Sequence, residues 1–576
     1  MTLIMFVLAI SLAGIFGQIF EVLKISTNGD QIKLMICVSL LAAAIFTNNA
    51  ACFRSRVAGN LNASVFVFIA FVFIFGTAAL TRIFAKDQMH GTLTQFNYLG
   101  SEDNGAWLDV STKLVSGGSI PYEAIGGPLI AFLTVCQSFA YLLVYILTGK
   151  KNELAIVLNS VVIAYLILPL FAAIGFSQIS ERLVKIKCIA SVTITSCFWF
   201  PIYGSLLIAQ YFGHLSFIYV TAVYTCCIWA IANKETNTFW EQKIAHLCLI
   251  STMPVWLPLN VLTVVLILLF GIQVGKHIIS GSTRREKCYV AVFFGIPILA
   301  VTYILKLSFS YSASSIKQVK SLISAEGGTG LASHVFIAIL VLSMLYTSLN
   351  RDRTNHFNPI NILKIGIGYV LTVIIVDYWI TDQMNYGSTK LLFAVSIVAT
   401  PIAAFNAFEI ISQRRDAVLM NGFASVLFVA VCLMGLVDSW SVSVLNSLSP
   451  LRWPPIDTSV GTSWRNEILI TRDPKKLEDL PIGCIYRDDT GILSADLETY
   501  RCTRSLLSIG GIWSKGNPLT EFQLWPDKIK ALNLQSIDSS LLDKDLLILD
   551  VVKHEVVSSM SLSEFIGYLK VNPPLG

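Results

Sequence analysis

Charged residues are scarce in this chain. Only 13% of its 576 residues are Asp, Glu, Lys or Arg, whereas ordinary soluble domains carry about 25%. The net charge of +5 is small and spread along the chain, which argues against a nucleic-acid partner. A composition this poor in charge excludes most classes of soluble enzyme.

Several catalytic and metal-binding motifs are missing as well. The sequence contains no GxSxG, HExxH or Walker pattern. The Gly-rich segment 326–330 has neither a strand before it nor a helix after it, so it is not a nucleotide loop. The cysteines form no CxxC pair, and the sequence therefore predicts no cysteine-based metal site.

Long uncharged runs fill most of the chain, and 55% of its residues are hydrophobic. A run of about 20 apolar residues crosses the ~30 Å hydrocarbon core as a helix. We therefore predict a polytopic α-helical membrane protein with about thirteen spans. The spans are expected at 2–22, 34–52, 63–81, 128–148, 154–175, 188–208, 214–233, 246–274, 288–305, 334–350, 362–381, 391–410 and 417–437. The first run has no basic n-region, so it is interpreted as a span and not as a signal peptide.

The orientation follows from the Lys/Arg bias of short loops, which favours the cytoplasm. Basic loops around Arg284, Arg351 and Arg414 are interpreted as cytoplasmic. An odd number of spans then places the N-terminus in the cytoplasm and the loop at 83–127 outside. We expect a multi-pass plasma-membrane protein, although the N-terminal half gives little charge signal because Arg182 falls on the predicted outer side.

Two domains are predicted. Residues 1–437 form the membrane domain with its outer loop at 83–127, and residues 438–576 form an extracytoplasmic α/β domain. Strands are expected at 466–472, 483–487 and 545–552. The sequence Ser561-Leu562-Ser563-Glu564 fits a capping box that opens a helix to about Val571.

Cys484 and Cys502 are the cysteines of this second domain. A disulfide between them is predicted if the domain is extracytoplasmic. The alternative is two unrelated buried thiols.

The outer loop carries adjacent carboxylates, Glu102 and Asp103. Such a pair can act as a general base or hold a divalent cation such as Mg²⁺ or Mn²⁺, though the sequence does not require a metal. The alternative is a solvated loop in which Ser101 or Asp103 caps a helix that starts near Asn104.

Lysine and other polar residues at predicted span ends form a second group of candidates. Lys390 opens a span at the headgroup level and is expected to contact a phosphate, unless it is only a snorkelling lysine. Asp377 lies inside a span, where ionisable residues tend to be functional. His214 and Lys306 are further candidate contacts to a lipid head.

The pattern of Glu102-Asp103-Asn104 with Trp107-Leu108, Gly213-His214, and Tyr386 with Lys390 resembles the GT-C class of glycosyltransferases, in particular its large actinobacterial members. The resemblance implies transfer of a sugar, arabinofuranose or a hexose, from a polyprenyl-phosphate donor to a cell-envelope glycan or glycolipid. Asp103, with Glu102 as the next candidate, would be the catalytic base. Contacts to substrate and lipid phosphate would come from Lys390, Tyr386, His214, Lys306, Asp109 and Trp107.

Other functions are compatible with the same composition. A lipid-linked oligosaccharide polymerase or ligase uses related donors but places its large outer loop late in the chain. A lipid or solute transporter favours paired charges deep in several spans and two related halves, and the sequence has few deep charges and no repeat. A structural envelope-assembly protein without chemistry is the last alternative.

Overall fold

The fold was analysed in a computed structural model of the chain. It describes residues 2–23, 25, 29–49, 102–116, 127–184, 215–232 and 239–252, scattered positions from 255 to 379, and residues 481–487, 493–494, 542–550 and 556–571.

The described part of residues 1–437, the predicted membrane domain, contains seven helices. They are α1 (Thr2–Val22), α2 (Gly29–Asn49), α3 (Glu102–Ser116), α4 (Gly127–Thr148), α5 (Glu153–Val184), α6 (Leu215–Ala232) and α7 (Phe239–Ile250). Five of them, α1, α2, α4, α5 and α6, coincide with most of a run predicted as a span, and these runs are confirmed as helices over their described residues. Helix α7 covers only positions 246–250 of the run predicted at 246–274. The remaining helix, α3, arises from the predicted outer loop.

These helices pack as one bundle. Helix α1 lies against α2, α4, α6 and α7, and α5 lies against α3, α4 and α6. Large side chains fill the interior, among them Leu8 of α1, Phe132 of α4 and Tyr165 of α5. A helix that is apolar on most sides must be covered on most sides. Accordingly, helices α1 and α5, which each lie against several neighbours, come from long uncharged runs.

A close backbone approach joins α1 to α4. A Cβ atom added to Gly14 would collide with the backbone of Gly127 and Pro128, and one added to Gly127 would collide with the carbonyl oxygen of Gly14. Glycine at a helix crossing lets two backbones approach in this way. The crossing therefore depends on the missing side chains at both positions.

A long-range polar contact closes the same side of the bundle. The Ser251 hydroxyl, just after α7, donates a hydrogen bond to the Ser11 hydroxyl of α1 over 2.7 Å. Both side chains are buried. The contact spans 240 positions of the sequence, so the start of the chain and its seventh described helix share one interior.

Three helix extents differ from the prediction. Helix α2 begins at Gly29, five residues before the predicted start at 34. Helix α5 has 32 residues, about 48 Å at 1.5 Å per residue, and continues nine residues past the predicted end at 175 because charged residues such as Arg182 are themselves good helix formers. Helix α7 begins at Phe239, before the predicted start at 246, and ends at Ile250. The helix thus ends four residues before Pro254.

Among the described residues, the stretch Gly127–Ile146 of α4 is long and apolar enough to cross a membrane by length and composition. Shorter apolar helical stretches lie at Phe6–Phe20, Glu153–Tyr165 and Leu215–Tyr224. The number of spans and their orientation stay predictions.

The described part of the second domain contains a four-stranded sheet. Its strands are β1 (Gly483–Arg487), β2 (Leu493–Ser494), β3 (Asp545–Asp550) and β4 (Val556–Ser561), in the order β2-β1-β3-β4. Strands β1 and β3 are parallel, and the two outer pairs are antiparallel. The predicted strand at 483–487 is confirmed, and the one at 545–552 is confirmed over Asp545–Asp550, whereas residues 551 and 552 lie outside the described residues. The predicted strand at 466–472 lies outside the described residues.

A helix follows β4 directly. Helix α8 (Leu562–Val571) begins with the predicted capping box: the Ser561 amide donates to Glu564 Oε2 over 2.8 Å, and the Glu564 amide donates to Ser561 Oγ over 3.2 Å. Phe565 and Ile566 on the next turn are buried. Both the start of this helix and its predicted end near Val571 are confirmed.

Candidate active site around helix α3

Part of the predicted outer loop forms a helix, α3. It runs from Glu102 to Ser116, so it starts two residues before the expected position near Asn104. Glu102 and Asp103 occupy its first turn, where negative charge is favoured by the helix dipole. The structure describes their backbone positions, while their side chains lie outside the described part.

Packing fixes this helix against the bundle. Leu108, Val110 and Leu114 are buried, as is Trp107, and α3 lies against α2, α4 and α5. Val115 packs on a cluster of buried residues from α4 and α5 (Ala140, Val144, Ala155 and Ile156). Residues 102–116 of the predicted outer loop therefore form a helix that packs on the bundle.

A hydrogen bond between buried hydroxyl groups adds a specific contact to α5. Ser160 Oγ of α5 donates to Ser111 Oγ of α3 over 3.0 Å. Neither side chain is exposed to solvent. A buried hydroxyl left without a partner is costly, so this bond favours one register of α3 along α5.

An ion pair lies within α3. Lys113 Nζ is 2.6 Å from Asp109 Oδ2, and the two side chains are 20% and 6% exposed. The second carboxylate oxygen, Asp109 Oδ1, is buried without a hydrogen-bond partner among the described residues. Burial raises the pKa of Asp109 above its ordinary value, and the hydrogen bond and charge of Lys113 oppose this rise.

Helical spacing relates this pair to the acidic first turn. Positions 102, 109 and 113 are seven and four residues apart, which places them along one stripe of the helix. Asp109 follows Glu102 by two turns, about 10 Å along the axis. This stripe therefore runs from the acidic first turn of α3 to the buried pair of Asp109 and Lys113.

The structure locates only part of the predicted site. Trp107 and Asp109 both lie on α3 and are buried, but residues two positions apart on a helix do not face each other. Asp109 was predicted to contact substrate, and its observed described partner is Lys113. The candidates Lys390, Tyr386, His214 and Lys306 lie outside the described residues.

The disulfide prediction has a similar outcome. Cys484 lies buried in β1 and is disulfide-bonded. Its predicted partner, Cys502, lies outside the described residues, so the pairing stays a prediction.

Over the described residues there is also no group of three or more His, Cys, Asp or Glu side chains that could hold a metal ion.

Sequence reasoning missed Lys113, Ser111 and Ser160. The i,i+4 spacing of Asp109 and Lys113 is a readable signal for an ion pair. The Ser111–Ser160 contact gave no such signal because the residues are 49 positions apart.

Comparison of the chain with protein-family models, curated proteins and solved structures finds no match. The function must therefore be inferred from the residues and their arrangement.

Proposed function

We propose that this protein is a membrane glycosyltransferase that moves a sugar from a polyprenyl-phosphate donor to a cell-envelope glycan on the outer face of the membrane. The observation that supports the proposal best is the position of Glu102 and Asp103 in the first turn of a helix held by buried contacts. A base attached to a fixed helix loses little orientational freedom when substrate binds.

The proposed reaction needs one base and one stabilised leaving group. Asp103 accepts the proton of the acceptor hydroxyl while its oxygen attacks the anomeric carbon of the donor sugar. The bond from that carbon to the phosphate oxygen breaks, and polyprenyl phosphate leaves with the electron pair. Lys390 stabilises the charge that develops on the phosphate, with His214 and Lys306 as further cationic candidates.

The remaining predicted parts supply binding. The donor enters from the lipid bilayer, and the domain at 438–576 binds the acceptor glycan. Mg²⁺ or Mn²⁺ is compatible with the acidic first turn, but charge neutralisation by lysine makes the reaction possible without one.

A transporter is the second candidate, and the buried pair of Asp109 and Lys113 favours it. Ionisable residues in the interior of a helix bundle often mark ion or proton pathways. In that case Asp109 would be the essential carboxylate, whereas a transferase depends on the first turn of α3.

The test measures sugar transfer from a radiolabelled polyprenyl-phosphate sugar in membranes that contain the protein. Asp103→Asn is expected to abolish transfer at an unchanged protein level, and Glu102→Gln is expected to lower it. Asp30→Asn serves as the matched control because Asp30 also lies in the first turn of a helix and is exposed.

Retained transfer in both Asp103→Asn and Glu102→Gln would contradict the assignment of the base. Loss of substrate-driven ion uptake in Asp109→Asn vesicles, with no sugar transfer by the wild-type protein, would instead favour the transporter.

A further inference from the structure

The surface of α4 changes along its length. Every residue from 127 to 134 is buried. In the second half of the helix, large apolar and aromatic side chains are exposed, namely Phe139, Tyr141, Leu142, Leu143, Tyr145 and Ile146. Ile146, near the end of the helix, is 69% exposed. The first half of α4 is therefore enclosed by protein. The six exposed side chains of the second half form an apolar surface, the apolar shoulder of α4.

A tight turn follows this shoulder. The Gly149 amide donates to the Tyr145 carbonyl oxygen over 2.9 Å, and Gly149 has a φ of 65°, a helix-ending conformation that glycine adopts readily. Asn152 then caps α5, because its Oδ1 accepts the Ala155 amide over 3.0 Å. The turn is short and is held at both ends by hydrogen bonds.

The turn is basic. Lys150 and Lys151 are both exposed, and Lys151 forms a 3.2 Å ion pair with Glu153. Two lysines and one glutamate leave a net charge of one positive unit on residues 150–153. Positive charge at this end of a helix also complements the helix dipole.

The order of side chains along α4 matches the layers of a bilayer surface. Exposed apolar side chains run from Phe139 to Ile146, the stacked rings of Tyr141 and Tyr145 lie among them with centroids 6.3 Å apart, and the lysines come last. Tyrosine rings concentrate where acyl chains meet headgroups, and lysines extend to the phosphate level.

We propose that the α4–α5 turn, residues 149–152, binds anionic phospholipid headgroups of the inner leaflet, with the apolar shoulder of α4 on the acyl chains. This inference rests on the membrane location in the proposed function, and not on sugar transfer. It also orients the N-terminal half, because a basic turn on the cytoplasmic side places the start of α4 and the preceding loop outside.

The experiment uses the full chain in nanodiscs that contain phosphatidylglycerol with a photoreactive headgroup. Mass spectrometry of the digested protein locates the adduct. We expect an adduct on residues 138–153 whose yield falls about 30-fold in the double variant Lys150→Gln/Lys151→Gln, since about one kcal/mol per lysine near an anionic surface amounts to about two kcal/mol for the pair. Lys33→Gln is the matched control, since Lys33 is exposed and ion-paired, as Lys151 is.

Three outcomes would overturn the inference. The first is an equal yield with a photoreactive phosphatidylcholine, because the turn would then have no preference for anionic lipid. The second is cross-linking of the shoulder to another copy of the chain. The third is antibody access in intact cells to an epitope inserted between Lys150 and Lys151, which would place the turn outside. Failure of the chain to enter nanodiscs would refute the membrane location itself, and sugar transfer is measured separately in the same discs.

Discussion

The buried pair of Asp109 and Lys113 should reduce stability instead of increasing it. The pair lies within one helix, and one carboxylate oxygen has no described partner. Removing two charges from water costs several kcal/mol per ion, and an apolar pair of similar volume is often neutral or more stable by about 1–4 kcal/mol. We expect this for Asp109→Leu/Lys113→Met.

The single change Asp109→Leu should have the opposite effect, because leucine, unlike a protonated aspartic acid or an asparagine, offers Lys113 no oxygen. It leaves the Lys113 ammonium in a mostly buried position without its carboxylate, which typically costs about 3–5 kcal/mol. Because the Lys113 side chain is 20% exposed and can turn toward solvent, we expect a loss near the lower end, about 3 kcal/mol. Denaturant unfolding of the full chain in detergent micelles, followed by helix content, measures both variants.

The pH dependence gives an independent readout. Burial raises the pKa of Asp109 in the folded protein above its ordinary value of 3.8, so the folded state binds the proton more tightly than the unfolded state. The free energy of unfolding should therefore fall as pH rises from about 3.8 to the folded pKa, and stay level above it. Asp109→Asn should lose this slope, and an unchanged slope would refute the assignment. An Asp109→Leu/Lys113→Met variant less stable than the wild-type protein would contradict the expectation that the buried pair reduces stability.

Two further predictions concern packing and capping. Gly14→Ala should destabilise the bundle because its Cβ would collide with the backbone of α4, whereas Gly17→Ala on the same helix meets no atom within 4 Å; thermal unfolding in micelles compares them, and equal midpoints would contradict the close crossing. Ser561→Ala removes one half of the capping box and should cost about 1 kcal/mol, while Ser558→Ala on the exposed edge strand should cost much less. Denaturant unfolding monitored by a signal from residues 438–576 measures both serine variants. Equal losses in the free energy of unfolding would argue against the cap.

The sequence predicted those elements whose causes are local. Apolar length gave α1, α4 and α6 nearly to the residue, and the side-chain chemistry of Ser561 and Glu564 gave the start of α8. Strand β4 was missed because its sequence, Val556–Ser561, is half serine, and an edge strand needs few apolar residues.

The site was less predictable for a physical reason. Helix α3 is short and has mixed polarity, and it is stabilised by packing on α4 and α5, which no local pattern encodes. The ion pair follows from spacing, but its burial does not. Similarly, the sequence could not show that Ser111 meets Ser160, because long-range pairs depend on how α3 lies along α5.

The hydrogen bond between Ser11 and Ser251 has a consequence for the order of assembly. Its two residues are 240 positions apart, and at about 5–20 residues per second a ribosome needs roughly 12–48 s to make the chain between them. During that interval α1 has been synthesised but α7 has not, so one face of α1, including the Ser11 hydroxyl, must be covered by lipid, by an insertion factor or by a temporary helix contact. The bundle thus cannot close in the order in which its helices emerge, and its first helix is among the last to reach its final contacts.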